Sequence, residues 1–66
     1  MKVNVNLIEA YRKENKLTMA DLGYAMGFKG AKTYAFKKYG YRNFTLKDIY
    51  KLCEIFDLDP DDLIIK

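Results

Sequence analysis

The residues best suited to recognise a ligand are concentrated between Met26 and Phe44. This stretch carries five basic residues and no acidic one, and it is rich in aromatic rings. Lysine and arginine donate hydrogen bonds to phosphates and base edges, and aromatic rings offer apolar contacts. The stretch is therefore a candidate surface for nucleic acid. The alternative is a solvated helix face whose charges only keep a small protein in solution, and charge alone does not separate the two.

The charges are also sorted along the chain. Residues 29–47 hold six basic residues and no acidic one, whereas residues 48–65 hold six acidic residues against one lysine. The net charge of the 66-residue chain is only +3, so the total conceals this separation. A basic zone of this kind is the electrostatic footprint expected of a phosphate-binding surface.

Several classes of function lack the residues they need. The chain has no histidine and a single cysteine, Cys53, so it offers neither a usual zinc site nor a histidine acid–base system. The acidic run at 57–62 lacks the glycine and spacing of a calcium loop. No apolar run approaches the roughly 20 residues of a membrane span, and the N-terminus lacks a signal-peptide core. We therefore predict a cytoplasmic protein that is not an enzyme and binds no cofactor, metal or small-molecule ligand.

Capping patterns predict the first two helices. Asn6 followed three residues later by Glu9 indicates a cap and its reciprocal partner at the start of the first helix. Thr18 followed by Asp21 indicates the start of a short second helix, and Gly27 suits the left-handed position that ends it. The inward-facing residues are predicted to be Leu7, Ile8, Tyr11, Leu22, Ala25 and Met26.

The third helix contains most of the basic stretch. It is predicted to run from about Gly30 to Tyr39 and to be stopped by Gly40. Its N-cap is predicted to be Lys29 or Gly30, and of these only glycine is a fair capping residue.

The last two helices have the clearest start signals. Thr45 with Asp48 opens the fourth helix, and Asp59 followed by Pro60 opens the fifth with proline at its first position. The apolar face of the fourth helix is predicted to comprise Leu46, Ile49, Leu52, Cys53 and Phe56. The alternating opening at residues 2–5 predicts a short extended N-terminal arm. The sequence thus predicts one all-α domain of five helices over residues 1–66.

Three segments, in order, resemble the Cro/repressor-type (XRE-like) helix-turn-helix family. "LIEAYRKENKLT" is similar to its first helix, "LTMADLGYAMGF" to the segment that opens its DNA-binding motif, and "FTLKDIYKLCEIFDLDPDDLI" to its closing two helices. The resemblance covers nearly the whole chain. It implies a sequence-specific DNA-binding regulator, a repressor or Cro-like switch of the kind found in phages and mobile elements.

The sequence also departs from the family pattern. The family usually has alanine at the position of Gly23, because the recognition helix packs closely there and leaves room only for a small residue. Met19 replaces a glutamine that often contacts a phosphate. The family often pairs the first-helix arginine, here Arg12, with a late glutamate of the recognition helix, but Lys37 and Lys38 occupy the corresponding positions. That ion pair cannot form, so Arg12 needs another partner or a phosphate.

The interval from Gly27 to Gly40 is one residue longer than the common pattern, which leaves two registers open for the third helix. With the extra residue in the turn, Tyr34 fills the core and the groove-facing residues are Ala31, Lys32 and Phe36. With the extra residue at the helix end, Thr33 and Phe36 point inward and the outward residues are Gly30, Ala31 and Ala35. We favour the first register, because a tyrosine ring closes the core better than a threonine.

The resemblance implies that the third helix reads DNA and that the loop after it follows the DNA backbone. The predicted DNA contacts are Lys29, Ala31, Lys32, Thr33, Phe36, Lys37, Tyr41, Arg42 and Asn43. Lys32 and Lys37 are the foremost candidates among these. Thr33 is equally suited to a local backbone hydrogen bond, and Phe36 is slightly better suited to the core. Phe44 is expected to be a core residue.

The partners implied are a double-stranded DNA operator and a second copy of the chain. A homodimer on DNA is expected because one short helix in one groove gives little specificity. The candidate interfaces are the surface of the fourth and fifth helices with the apolar end at residues 63–66, and the arm at residues 2–5. The alternative function is a small helical protein-interaction module, an adaptor or antirepressor whose basic zone meets an acidic partner.

Overall fold

Within residues 2–65, five short helices surround one small core. The structure is a computed structural model that describes residues 2–65; Met1 and Lys66, which the predicted domain and interface include, lie outside the described residues. The helices are α1 (Val5–Glu14), α2 (Met19–Ala25), α3 (Ala31–Lys38), α4 (Leu46–Phe56) and α5 (Pro60–Leu63), and two short strands are β1 (Lys2–Val3) and β2 (Ile64–Ile65). The predicted all-α fold of five helices is confirmed.

The capping patterns of α2 and α4 form as predicted. The Thr18 hydroxyl accepts a hydrogen bond from the Asp21 amide (3.0 Å), and the Asp21 carboxylate accepts one from the Thr18 amide (2.8 Å). Thr45 and Asp48 make the same reciprocal pair at α4. Each pair satisfies two amides that the first helical turn leaves unbonded, so the start of each helix is defined by local sequence.

The predicted cap of α1 is wrong by two residues. Asn4, not Asn6, caps the helix, and its side-chain oxygen accepts a hydrogen bond from the Leu7 amide (3.1 Å). The Asn4 amide in turn donates to the Leu63 carbonyl (2.7 Å), a contact with the far end of the chain. This long-range bond fixes where α1 begins and leaves Glu9 without a capping role.

The opening segment is extended, as predicted, but it does not project as an arm. Strand β1 pairs antiparallel with β2, with Lys2 opposite Ile65 and Val3 opposite Ile64. Part of the arm, residues 2–3, and part of the apolar end, residues 64–65, thus pair with each other in a two-stranded ribbon.

The core draws residues from every helix. Its buried apolar residues are Ile8, Leu22, Met26, Tyr34, Phe44, Ile49, Leu52, Cys53 and Leu63. Two residues predicted to face inward do not. Ala25 is exposed because the buried stripe of α2 is centred between Leu22 and Gly23. Leu46, the first residue of α4, is 52% exposed and lies outside the buried face of Asp48, Ile49, Leu52 and Cys53.

Candidate nucleic-acid interface

The position of Tyr34 determines which side of α3 faces solvent. Its side chain is fully buried, whereas Lys32 and Phe36 are exposed and Ala31 and Thr33 are partly buried. This is the register that places the extra residue in the turn, and its prediction that Tyr34 lies in the core is confirmed. The preference for Phe36 as a core residue is wrong: Phe36 is 37% exposed, because Tyr34 already occupies the core position of this helix.

Gly23 lets the longer turn fit. A Cβ atom built on Gly23 would lie 2.1 Å from the carbonyl oxygen of Gly30, far inside any normal contact. Gly30 itself has φ +156°, a backbone conformation that residues other than glycine rarely adopt. The turn backbone therefore lies directly against α2. An alanine at position 23 would not fit against this turn.

Four exposed residues on or just after α3 are linked by contacts; they are Lys32, Phe36, Tyr41 and Arg42, which we call the α3 surface. The Lys32 Nζ lies 5.7 Å from the centroid of the Phe36 ring, and the Phe36 and Tyr41 rings meet edge to face with centroids 6.1 Å apart. The Phe36 carbonyl accepts hydrogen bonds from the Tyr41 amide (2.8 Å) and the Arg42 amide (3.1 Å). The loop that follows α3 is thereby held against the helix.

The remaining sequence-predicted residues divide into exposed and engaged ones. Lys29 and Asn43 are exposed on either side of α3. Lys37 is not: its side chain is only 9% exposed, and its ammonium forms an ion pair with the Asp48 carboxylate. The same ammonium lies 5.2 Å from the centroid of the Phe28 ring. This geometry argues against the predicted DNA contact for Lys37, because position 37 lies one turn from Tyr34 on the inward side.

Asp48 joins two elements through this ion pair. Burial alone would raise the pKa of the Asp48 carboxyl, but hydrogen bonds from the Lys37 ammonium and the Thr45 amide lower it below its ordinary value. The carboxylate therefore stays charged while it caps α4 and ties α4 to α3. This long-range ion pair links α3, the candidate recognition helix, to α4.

Arg12 finds its partner within its own helix. Its Nε donates to Glu9 Oε2 (2.8 Å) and its Nη1 to the Leu17 carbonyl (2.7 Å). Glu9 also accepts a hydrogen bond from the Tyr34 hydroxyl (2.6 Å) and forms an ion pair with Lys38 (2.9 Å). An ion pair therefore joins α1 to α3, with the acid, Glu9, on α1 and the base, Lys38, on α3. Its α1 member is not Arg12, the residue that the resemblance implied for such a pair.

Sequence reasoning overlooked a cleft beside the turn between α2 and α3. Its volume is about 380 Å³, and its lining residues are Met26, Gly27, Phe28, Lys47, Asp48 and Lys51. The cleft places two lysines of α4, Lys47 and Lys51, next to the turn that leads into α3. Lys47 already belongs to the basic zone of residues 29–47, and Lys51 extends that zone.

No helix within residues 2–65 combines the length and the apolar composition that a membrane span requires. These residues also contain no group of three or more cysteine, aspartate or glutamate side chains arranged to hold a metal ion.

The family model described as a Cro/C1-type HTH DNA-binding domain matches residues 8–65. The match includes all of α2, α3, α4 and α5 and most of α1. No curated protein and no solved structure matches the chain.

Proposed function

The chain belongs to the Cro/C1-type helix-turn-helix DNA-binding family, and on this basis we propose that it is a sequence-specific transcriptional regulator that reads the major groove of double-stranded DNA with α3. The orientation of α3 is the observation that most directly supports this proposal. Tyr34 fixes one side of the helix in the core, and the opposite side presents Lys32 and Phe36 to solvent. A helix of this kind, basic and free on one side, fits the major groove.

The proposed contacts divide into base reading and positioning. Lys32 lies in the first turn of α3, where a recognition helix meets base edges, and its ammonium suits guanine O6 and N7. Lys29 and Arg42 are proposed to bind phosphates on either side, with Tyr41 and Asn43 as further donors. Ala31 and Thr33 lie beside Lys32 and complete the helix face. Lys37 is assigned a structural role through Asp48.

The regulatory mechanism we propose is occupancy. A domain of this size would repress or switch transcription in the cytoplasm by covering an operator. We propose that it binds as a homodimer, because two recognition helices on half-sites about one helical turn apart multiply specificity. Sedimentation of the protein with and without operator DNA measures this, with two chains per duplex expected. One chain per duplex at saturation would contradict the dimer.

A titration of labelled duplex DNA by fluorescence anisotropy at several salt concentrations tests the function. Affinity that falls steeply with salt is expected, because bound phosphates release counterions. After selection of an operator from a random library, Lys32→Ala should weaken operator binding by about tenfold while changing binding to unrelated DNA little. Arg42→Ala should weaken binding to all sequences and reduce the salt slope by about 1.

Lys13→Ala is the matched control, since it removes the same charge from an exposed site on α1. It should leave operator binding nearly unchanged. Equal losses for Lys13→Ala and Lys32→Ala would mean that net charge, rather than α3, determines binding. A folded protein that binds no duplex at low salt would contradict the DNA-binding proposal and favour the protein-interaction alternative.

A further inference from the structure

We propose that Phe36 is a specificity-determining residue that reads the 5-methyl group of thymine. This inference rests on the proposed function of α3 and extends it to the kind of base pair recognised. Phe36 is the large apolar side chain that the described part of α3 exposes among basic residues. The fold does not require a ring there, because Tyr34 fills the core position of this helix.

The ring is held on two sides. The Lys32 ammonium lies 5.7 Å from its centroid, and the Tyr41 ring meets it at an interplanar angle of 77°. Tyr41 is itself 79% exposed, yet its amide donates a hydrogen bond to the Phe36 carbonyl, which attaches the loop backbone to the helix. A ring constrained in this way loses little conformational freedom when it meets a ligand, which is the condition for a specific apolar contact.

The side chains of the α3 surface indicate which groups its ligand should carry. The lysine and the arginine would bind an anion, and the phenylalanine ring would pack against an apolar group of the same ligand. In the major groove the apolar group that a base pair offers is the C5 methyl of thymine. Positions 32 and 36 are about 6 Å apart along a helix, roughly two base-pair steps. We therefore infer that the thymine lies within about two base pairs of the guanine assigned to Lys32.

Uracil substitution isolates the methyl group. In the selected operator each thymine is replaced singly by uracil, which removes the methyl and keeps the hydrogen-bonding pattern of the base pair. Wild-type protein should bind one such duplex about fourfold more weakly, the factor expected for one methyl group buried at the interface. This comparison needs no variant protein, so a folding defect cannot obscure it.

Phe36→Ala identifies the residue that reads the methyl. Its affinities for the thymine and uracil operators should be equal, because the ring that discriminates them is gone. Phe36→Leu, which keeps an apolar side chain, should retain part of the discrimination. Tyr50→Ala is the control: it removes an exposed aromatic ring from α4 and should leave the thymine-to-uracil ratio of the wild type unchanged.

Three results would overturn the inference while leaving duplex binding in place. Wild-type protein could bind every uracil operator as tightly as the thymine operator. Phe36→Ala could keep the wild-type ratio, which would assign the methyl to another residue such as Thr33. Tighter binding to the single strand than to the duplex would mean that the ring stacks on bases. Failure of the folded protein to bind duplex at all would instead contradict the proposed function itself.

Discussion

Glu9 is the residue on which three parts of the molecule converge. Its carboxylate, 12% exposed, bonds to Arg12 of its own helix and to Tyr34 and Lys38 of α3, and Arg12 extends the network to the Leu17 carbonyl. Hydrogen bonds from Arg12 outweigh the opposing effect of burial, and those from Tyr34 and Lys38 add to them. Together they lower the pKa of Glu9 from 4.5 to about 2. The network orients α3, and with it the α3 surface.

This lowered pKa predicts a pH dependence of stability. Because the folded-state pKa lies below the ordinary value, Glu9 contributes stability above about pH 4.5, and the contribution is lost as the pH falls towards 2. Its full size is about 3 kcal/mol. Urea unfolding of Glu9→Gln should show a deficit of this order at pH 7 that vanishes near pH 2.

Glu54→Gln is the control for this experiment. The Glu54 carboxylate is exposed and lies 4.0 Å from Lys51, a surface pair that contributes little to stability. Its removal should change the free energy of unfolding only slightly at either pH. A Glu9→Gln deficit that persists unchanged at pH 2 would indicate that the glutamine repacks poorly, not that the charge matters.

At the scale of elements, α2 can approach the turn before α3 closely because residue 23 is glycine and has no Cβ atom. Gly23→Ala would place a carbon on the Gly30 carbonyl oxygen. We expect the free energy of unfolding to fall by about 2 kcal/mol, the cost of forcing atoms into a packed site, even though alanine favours helix. Thermal or urea unfolding measures this.

Ala25→Gly in the same helix supplies the comparison. Ala25 is exposed, so here alanine should be the better residue and the glycine variant should lose about 1 kcal/mol. A preference for glycine at position 23 and for alanine at position 25, two residues further along the same helix, is the result that assigns the Gly23 effect to the turn. If Gly23→Ala stabilises the protein, the turn can withdraw and the close contact is not needed.

The end of α1 carries a conformational cost that a single substitution can remove. Lys16 has φ +57, in the left-handed region, and its amide bonds to the Lys13 carbonyl while the Leu17 amide bonds to the Arg12 carbonyl. Glycine is the preferred residue at this position of such a helix end. Lys16→Gly should therefore raise the free energy of unfolding by about 1 kcal/mol. Lys13→Gly, inside the helix, should lower it by a similar amount.

At the scale of the whole molecule, local rules predicted far more than long-range contacts. The caps at Thr18 and Thr45 and the glycine stops at positions 27 and 40 involve residues within one helical turn, and all of them form. The cap of α1 was misplaced because Asn4 is held by Leu63, at the other end of the chain.

The candidate site shows the same division. The burial of Tyr34 could be predicted from size and register. The ion pairs of Lys37 with Asp48 and of Lys38 with Glu9 could not, because a lysine at a helix surface has the same local pattern whether it faces DNA or a carboxylate. The sequence shows which residues are charged. Which partner each charged side chain faces depends on how the helices pack in the folded chain.

The ribbon of β1 and β2 makes this chain suited to backbone cyclisation. Residues 2 and 65 are strand partners, so a linker of a few residues could lead from residue 65 back to residue 2. A ring-closed protein cannot extend fully when it unfolds, and the lost chain entropy would stabilise the fold by up to about 4 kcal/mol. Its melting temperature should rise well above that of the linear protein. The same adjacency would let this domain be inserted into a surface loop of another protein, with both connections leaving from one point.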